Sequence, residues 1–180
     1  MIVTSKELQF GAQSEAKHFE TIFVEQWSQV YAVVFRFVGD RSEAEDLALE
    51  TFWQFYRNPP SRRENVNGWL YRVAVNLGLN ALRARKRRTQ YEAEAGAMAL
   101  EDHQRSGPEL EVERAERRRE VQEVLLEMKP RSAKLLILRY SGLAYKEIAA
   151  ALKLKQSSIG QMLSRAEDEF EKLYHQRIGG

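Results

Sequence analysis

From Phe19 onward, apolar side chains return every three or four residues: Phe19, Ile22, Phe23, Trp27, Val30, Tyr31, Val34, Phe35 and Val38. At 3.6 residues per turn they form one continuous stripe, which a strand of period two cannot reproduce. Gly39 ends this helix, and Asp40 or Ser42 caps the next. In that second helix Ala44, Leu47, Ala48, Thr51, Phe52 and Phe55 face inward, and Asn58-Pro59-Pro60-Ser61 breaks the chain. A third helix starts near Asn65 or Asn67 and runs through Leu82, with Trp69, Leu70, Val73, Ala74, Leu77 and Ala81 inside. Nothing in residues 1–90 alternates with period two, so the expected fold is all-α. Residues 1–18 are polar and weakly patterned, and are read as a short arm.

The periodicity fails over residues 89–110, where small and acidic residues lead into Ser106-Gly107-Pro108, and a flexible linker is expected. It resumes near Glu109, with Val112, Ala115, Val121, Val124, Leu125 and Met128 on one face. Pro130 suits the first turn of a following helix, which ends at Ser141-Gly142. The chain thus reads as two small helical bundles, 19–88 and 111–180, on an acidic tether. The formal net charge of +2 conceals this division. Residues 1–90 hold 13 Lys/Arg to 10 Asp/Glu, residues 91–110 one to five, and residues 111–180 14 to 11.

Cysteine is absent, which removes disulfides, thiolate metal sites and thiol nucleophiles together and suits a reducing compartment. His18, His103 and His175 are scattered without ligand spacing, and no cofactor or metal is expected. No basic segment leads into an apolar run at the N-terminus, and no stretch approaches the ~18–20 apolar residues of a membrane span. A cytoplasmic chain with no membrane insertion is expected. With no glycine-rich phosphate loop and no carboxylate pair in an apolar pocket, catalysis is not expected either.

Two tracts face nucleic acid. In the second bundle, Tyr145–Leu152, a break at Lys153–Lys155 and a helix from Gln156 have the layout of a helix-turn-helix. Ala144, Ile148, Ala149 and Leu152 supply the inner face of its first helix, and Ile159, Leu163, Ala166, Phe170 and Leu173 that of its second. Gln156, Ser157, Ser158, Gln161, Met162 and Arg165 then point outward, where the first turns of such a helix meet base edges and phosphates. An ordinary helical hairpin with solvated polar residues fits the same spacing. In the first bundle, Arg72, Asn76 and Asn80 recur four apart and lead into Arg83-Ala84-Arg85-Lys86-Arg87-Arg88. Amides suit base edges and cations neutralise phosphate. A solvated helix end whose cations complement the dipole is the plainer reading of that run.

These residues resemble bacterial extracytoplasmic-function sigma factors. The acidic helix of that family is matched by Ala44-Glu45-Asp46-Leu47 with Glu50-Thr51-Phe52. Its Trp-Leu-Tyr-Arg tract is matched by Trp69-Leu70-Tyr71-Arg72, Asn76-Leu77 and Leu82-Arg83. Its second-domain pattern is matched by Gly142, Tyr145-Lys146-Glu147-Ile148-Ala149 and Arg165-Ala166. The resemblance runs from about Phe19 to Tyr174. It implies sigma region 2 over 19–88 and region 4 over 111–180. Asp46, Leu49, Glu50 and Phe52 would dock on the β′ clamp helices of core RNA polymerase. Arg72, Asn76, Asn80, Arg83, Arg85 and Arg87 would read and open the minus-10 element of promoter DNA. Tyr145, Lys146, Lys155, Gln156, Ser157, Ser158, Gln161 and Arg165 would bind the minus-35 element, with the β flap as a second contact of that domain. It also implies an anti-sigma factor clamped between the domains. Leu49 stands where glutamine is usual, Val75 and Asn80 where arginine and aspartate are, and Gly160 and Met162 where lysine and arginine are common.

Two other functions remain open on the residues alone. A stand-alone helix-turn-helix regulator would dimerise on a palindromic operator. A helical interaction module would not bind DNA at all.

Overall fold

The computed structural model describes residues 5–61, 65–94 and 109–178, with side chains over 17–61, 65–92 and 113–177. Among them are seven helices and no strand: α1 (Ser5–Val38), α2 (Arg41–Arg57), α3 (Val66–Glu94), α4 (Glu109–Glu127), α5 (Pro130–Tyr140), α6 (Tyr145–Leu152) and α7 (Gln156–Ile178).

The first bundle is α1–α3. Gly39, at φ 71°, ends α1 in the left-handed region that glycine tolerates, and the Asp40 carboxylate caps α2 by accepting the Glu43 N–H at 2.8 Å. The α1 stripe becomes an aromatic ladder: Phe23 lies 4.8 Å and Trp27 6.0 Å from the Phe52 ring, and Phe55 packs 5.9 Å from Trp69. Trp69 is half-buried in that contact. Asn65 caps α3 through Gly68 N–H at 2.7 Å.

The second bundle is α4–α7. Its ends are tied by Glu169 of α7, whose carboxylate accepts the Lys129 N–H and the Ser132 hydroxyl, both at 2.8 Å, at the N-terminus of α5. A negative charge there complements the helix dipole. Arg177 holds the far end of α7 to Glu123 and Glu127 of α4.

Two expectations change. The arm is helical from Ser5, because no proline interrupts residues 5–18. Residues 89–94, read as linker, continue α3, since Leu79–Glu94 contains neither glycine nor proline and is rich in Ala, Leu, Arg and Glu. Residues 95–108 lie outside the described residues. The bundles also pack on each other and share one apolar core, an arrangement on which the sequence is silent. Gln122 of α4 is buried and donates to the carbonyls of Phe37 at 2.8 Å and Val38 at 3.0 Å. Arg118 donates to Gly39 O at 2.6 Å and Gln29 to Ser141 O at 2.5 Å. The second bundle therefore satisfies carbonyls that the end of α1 leaves open.

Candidate nucleic-acid interface

The outer face of α2 is uncovered. Asp46 and Glu50 are exposed, and Leu49, Trp53 and Tyr56 show 51%, 54% and 61% of their surface. Positions 49, 53 and 56 follow the helical repeat, and the Trp53 and Tyr56 rings stack at 5.9 Å. Phe52 does not belong to this face. It is 1% exposed, because its position in the repeat puts the ring against Phe23 and Trp27. Trp53 and Tyr56 were not singled out from the sequence. Their signal was there: two large aromatics lying off the inward stripe of α2.

On α3, the repeat sorts the cationic run into two sides. Arg72, Asn76, Asn80, Arg83 and Arg87 follow one another at spacings of three and four and form one stripe. Asn80 and Arg87 are exposed, and Arg72 and Arg83 are half-buried. Arg85 sits on the opposite side, two positions from each arginine neighbour. It donates to Val38 O at 3.2 Å and pairs with Glu43 at 2.5 Å, closing the corner between α1 and α2. In this arrangement Arg85 braces the first bundle and does not join the other arginines.

In the helix-turn-helix, Lys153 takes the left-handed conformation, φ 55°, and Leu154 N–H reaches Ala149 O at 2.9 Å, which ends α6 and turns the chain into α7. Glu147 accepts the Ala144 N–H at 2.7 Å at the start of α6. Ile148 and Ala149 pack with Ile159, Leu163 and Ala166 in the buried centre. Tyr145 lies against the first turns of α7: a Cβ on Gly160 would be 3.6 Å from its ring, and Arg139 stands 5.4 Å above the same ring. Tyr145, Lys146, Lys155, Gln156, Ser157, Gln161 and Arg165 are exposed, and Ser158 is half-buried. These residues come together around the N-terminus of α7, where N–H groups and dipole favour phosphate.

The other side of α6 rests on α3. A Cβ on Gly68 would lie 2.9 Å from the Ala150 Cβ and 3.0 Å from its carbonyl carbon. Tyr71, one turn on, is 2% exposed and donates to Gln26 Oε1 at 2.7 Å. Burial, with the Glu147 carboxylate of α6 adding to it, pushes its pKa up to about 12. Val75, the next turn, is completely buried. Lys134 of α5 donates to Asn76 Oδ1 at 2.6 Å. Its pKa is lowered by burial and then by the Arg83 charge, so the ammonium stands beside the arginine and asparagine stripe of α3.

Comparison with known proteins agrees with this layout. Residues 23–88 match the family model for sigma-70 region 2, and residues 118–169 that for sigma-70 region 4. The RNA polymerase sigma-H factor of Pseudomonas aeruginosa is 29% identical over 89% of this chain and 88% of its own. The sigma factor SigW of Bacillus subtilis is 28% identical over 80% and 82%. Among solved structures, the sigma factor RpoE of Bartonella quintana, in complex with the anti-sigma factor NepR, superposes with a TM-score of 0.52 at 20% identity. That match covers 87% of this chain and 96% of the other. No helix among the described residues is long and apolar enough to cross a membrane. Sigma factors are not an enzyme family. With regions 2 and 4 present in order on an all-helical frame, the chain belongs to the extracytoplasmic-function sigma factors and directs RNA polymerase to its promoters.

Proposed function

We propose that the three exposed surfaces divide the work of initiation. The α2 face, with Asp46, Leu49, Glu50, Trp53 and Tyr56, docks on the β′ clamp helices of core RNA polymerase. The α3 stripe of Arg72, Asn76, Asn80, Arg83 and Arg87 engages the minus-10 element and holds its bases once unpaired. Capture of those bases offsets their unstacking, which costs a few kcal/mol. The N-terminus of α7, with Tyr145, Lys146, Lys155, Gln156, Ser157, Ser158, Gln161 and Arg165, binds the minus-35 element, and the β flap contacts the same domain. The chain itself performs no catalysis and works in the cytoplasm, where polymerase is. An anti-sigma factor, the kind of partner found with the Bartonella quintana relative, is the expected antagonist.

One observation carries the α2 assignment: Leu49, Trp53 and Tyr56 stand in solvent on the helix that also exposes Asp46 and Glu50, while Phe52 and Phe55 are buried. A free apolar stripe of this kind marks a protein interface. A stand-alone regulator gives it no role. Reconstitution tests the proposal. Purified core polymerase with this chain should initiate at promoters found upstream of transcripts induced by overexpressing it. Silence from a core enzyme that works with another sigma factor contradicts it.

A further inference from the structure

The turns of α7 sort its polar residues by angle. At about 100° per residue, Ser157, Gln161 and Arg165 follow one another four apart along one outward row, and all three are exposed. Ser164 flanks the row and Asp168 continues it, both exposed. A carboxylate repels phosphate, so Asp168 bounds the length of α7 that DNA approaches. Gln161 stands at the middle of that length. Gln156, by contrast, lies about 140° round the helix from it.

The neighbours of Gln161 are uncharged. Gly160 has no side chain, and the Tyr145 ring fills that flank: a Cβ on Gly160 would be 3.6 Å from the ring. Met162, on the other flank, packs on the core and is half-buried. The cations stand around this centre, Arg165 one turn on, Lys146 on α6 and Lys155 in the turn, all exposed. In the major groove, glutamine pairs bidentately with adenine N6 and N7, and apolar carbon packs on the thymine methyl. Those two features belong to the same base pair. Guanine presents N7 and O6, both acceptors, and leaves the glutamine carbonyl without a donor on that base.

We infer that Gln161 is a specificity-determining residue: its amide reads adenine N6 and N7 of one A·T pair in the minus-35 element, with Tyr145 and Met162 forming the apolar wall for the thymine methyl. This deepens, and rests on, the assignment of α7 as the minus-35 reader. Arg165 lies about 6 Å further along the row, close to two base-pair steps of about 3.4 Å. Arginine selects guanine or phosphate there, so the preference set by Gln161 is confined to its own position.

The test uses the full chain on core polymerase and a promoter that the parent chain uses. Every minus-35 position is varied singly through the four base pairs, and initiation is read from the transcripts. The parent should favour A·T over G·C about tenfold at one position. Gln161→Ala should reduce that ratio to about twofold or less and leave the preferences at other positions as they were. Gln161→Arg should move the preference at the same position to G·C, which also shows the variant folded and loaded on polymerase. Two modified bases check the atoms: 7-deazaadenine lacks N7, and uracil in place of thymine lacks the methyl. Each should lower initiation by the parent about threefold at that position, and 7-deazaadenine should leave Gln161→Ala unaffected. An unchanged profile in Gln161→Ala overturns the inference, and so does a loss spread evenly over all positions. A parent chain indifferent to every minus-35 change contradicts the α7 assignment itself and takes this inference with it.

Discussion

Two helices of the first domain carry apolar side chains with opposite fates. On α2, Leu49, Trp53 and Tyr56 remain in solvent; on α3, Tyr71 and Val75 are buried, with the Tyr71 hydroxyl on Gln26 of α1. Both sets obey the same helical repeat, and both lie beside residues suited to a macromolecular partner. The difference is one of availability: the α2 side chains are free for a partner, whereas Tyr71 and Val75 are already used in packing within the chain.

The sharpest division lies between adjacent positions. Phe52→Ala removes a ring from the aromatic ladder and should cost about 3–5 kcal/mol of stability in urea unfolding. Trp53→Ala, one residue on, should leave that unfolding curve within about 0.5 kcal/mol. It should weaken binding to core polymerase about 30-fold by fluorescence anisotropy, the ~2 kcal/mol of an interfacial hot spot. Equal effects of the two on stability would erase the distinction between the covered and open sides of α2.

The covered face of α3 carries its own alkaline signature. Tyr71 titrates near pH 10 when unfolded and about 12 when folded, so its burial favours the packed state fully below pH 10. That contribution fades as pH rises through 12. Stability in urea should fall over this interval, and Tyr71→Phe should flatten the part of the fall that comes from this phenol. An identical curve for Tyr71→Phe would show that this phenol is not the group responsible.

The smallest effect contrasts two glycines inside helices. Gly160, unlike Gly68, has room for a methyl group, 3.6 Å from the Tyr145 ring. Gly160→Ala should raise stability by about 1 kcal/mol in a thermal melt. A loss of stability there would mean that the Tyr145 contact is tighter than its spacing indicates.

Local chemistry was legible in the residues. Gly39 followed by Asp40, Pro130 at the start of α5 and the break at Lys153 each set a helix boundary through their own backbone preference. The stripe of Arg72, Asn76 and Asn80 followed from spacing alone. What composition obscured was phase: five cations in six positions look alike until the repeat sends Arg85 to Glu43 and leaves Arg83 and Arg87 with the amides. The seam between the domains left almost no periodic trace. It joins Gly68 to Ala150 across more than eighty positions, through small residues whose meaning is proximity rather than hydrophobicity.

The most direct test sets Trp53→Ala against the parent chain in reconstituted initiation. With limiting core polymerase and a promoter that the parent chain uses, the variant should give less than one-tenth of the parent's initiation. Equal initiation by the two, with the variant folded as the parent is, would contradict the account.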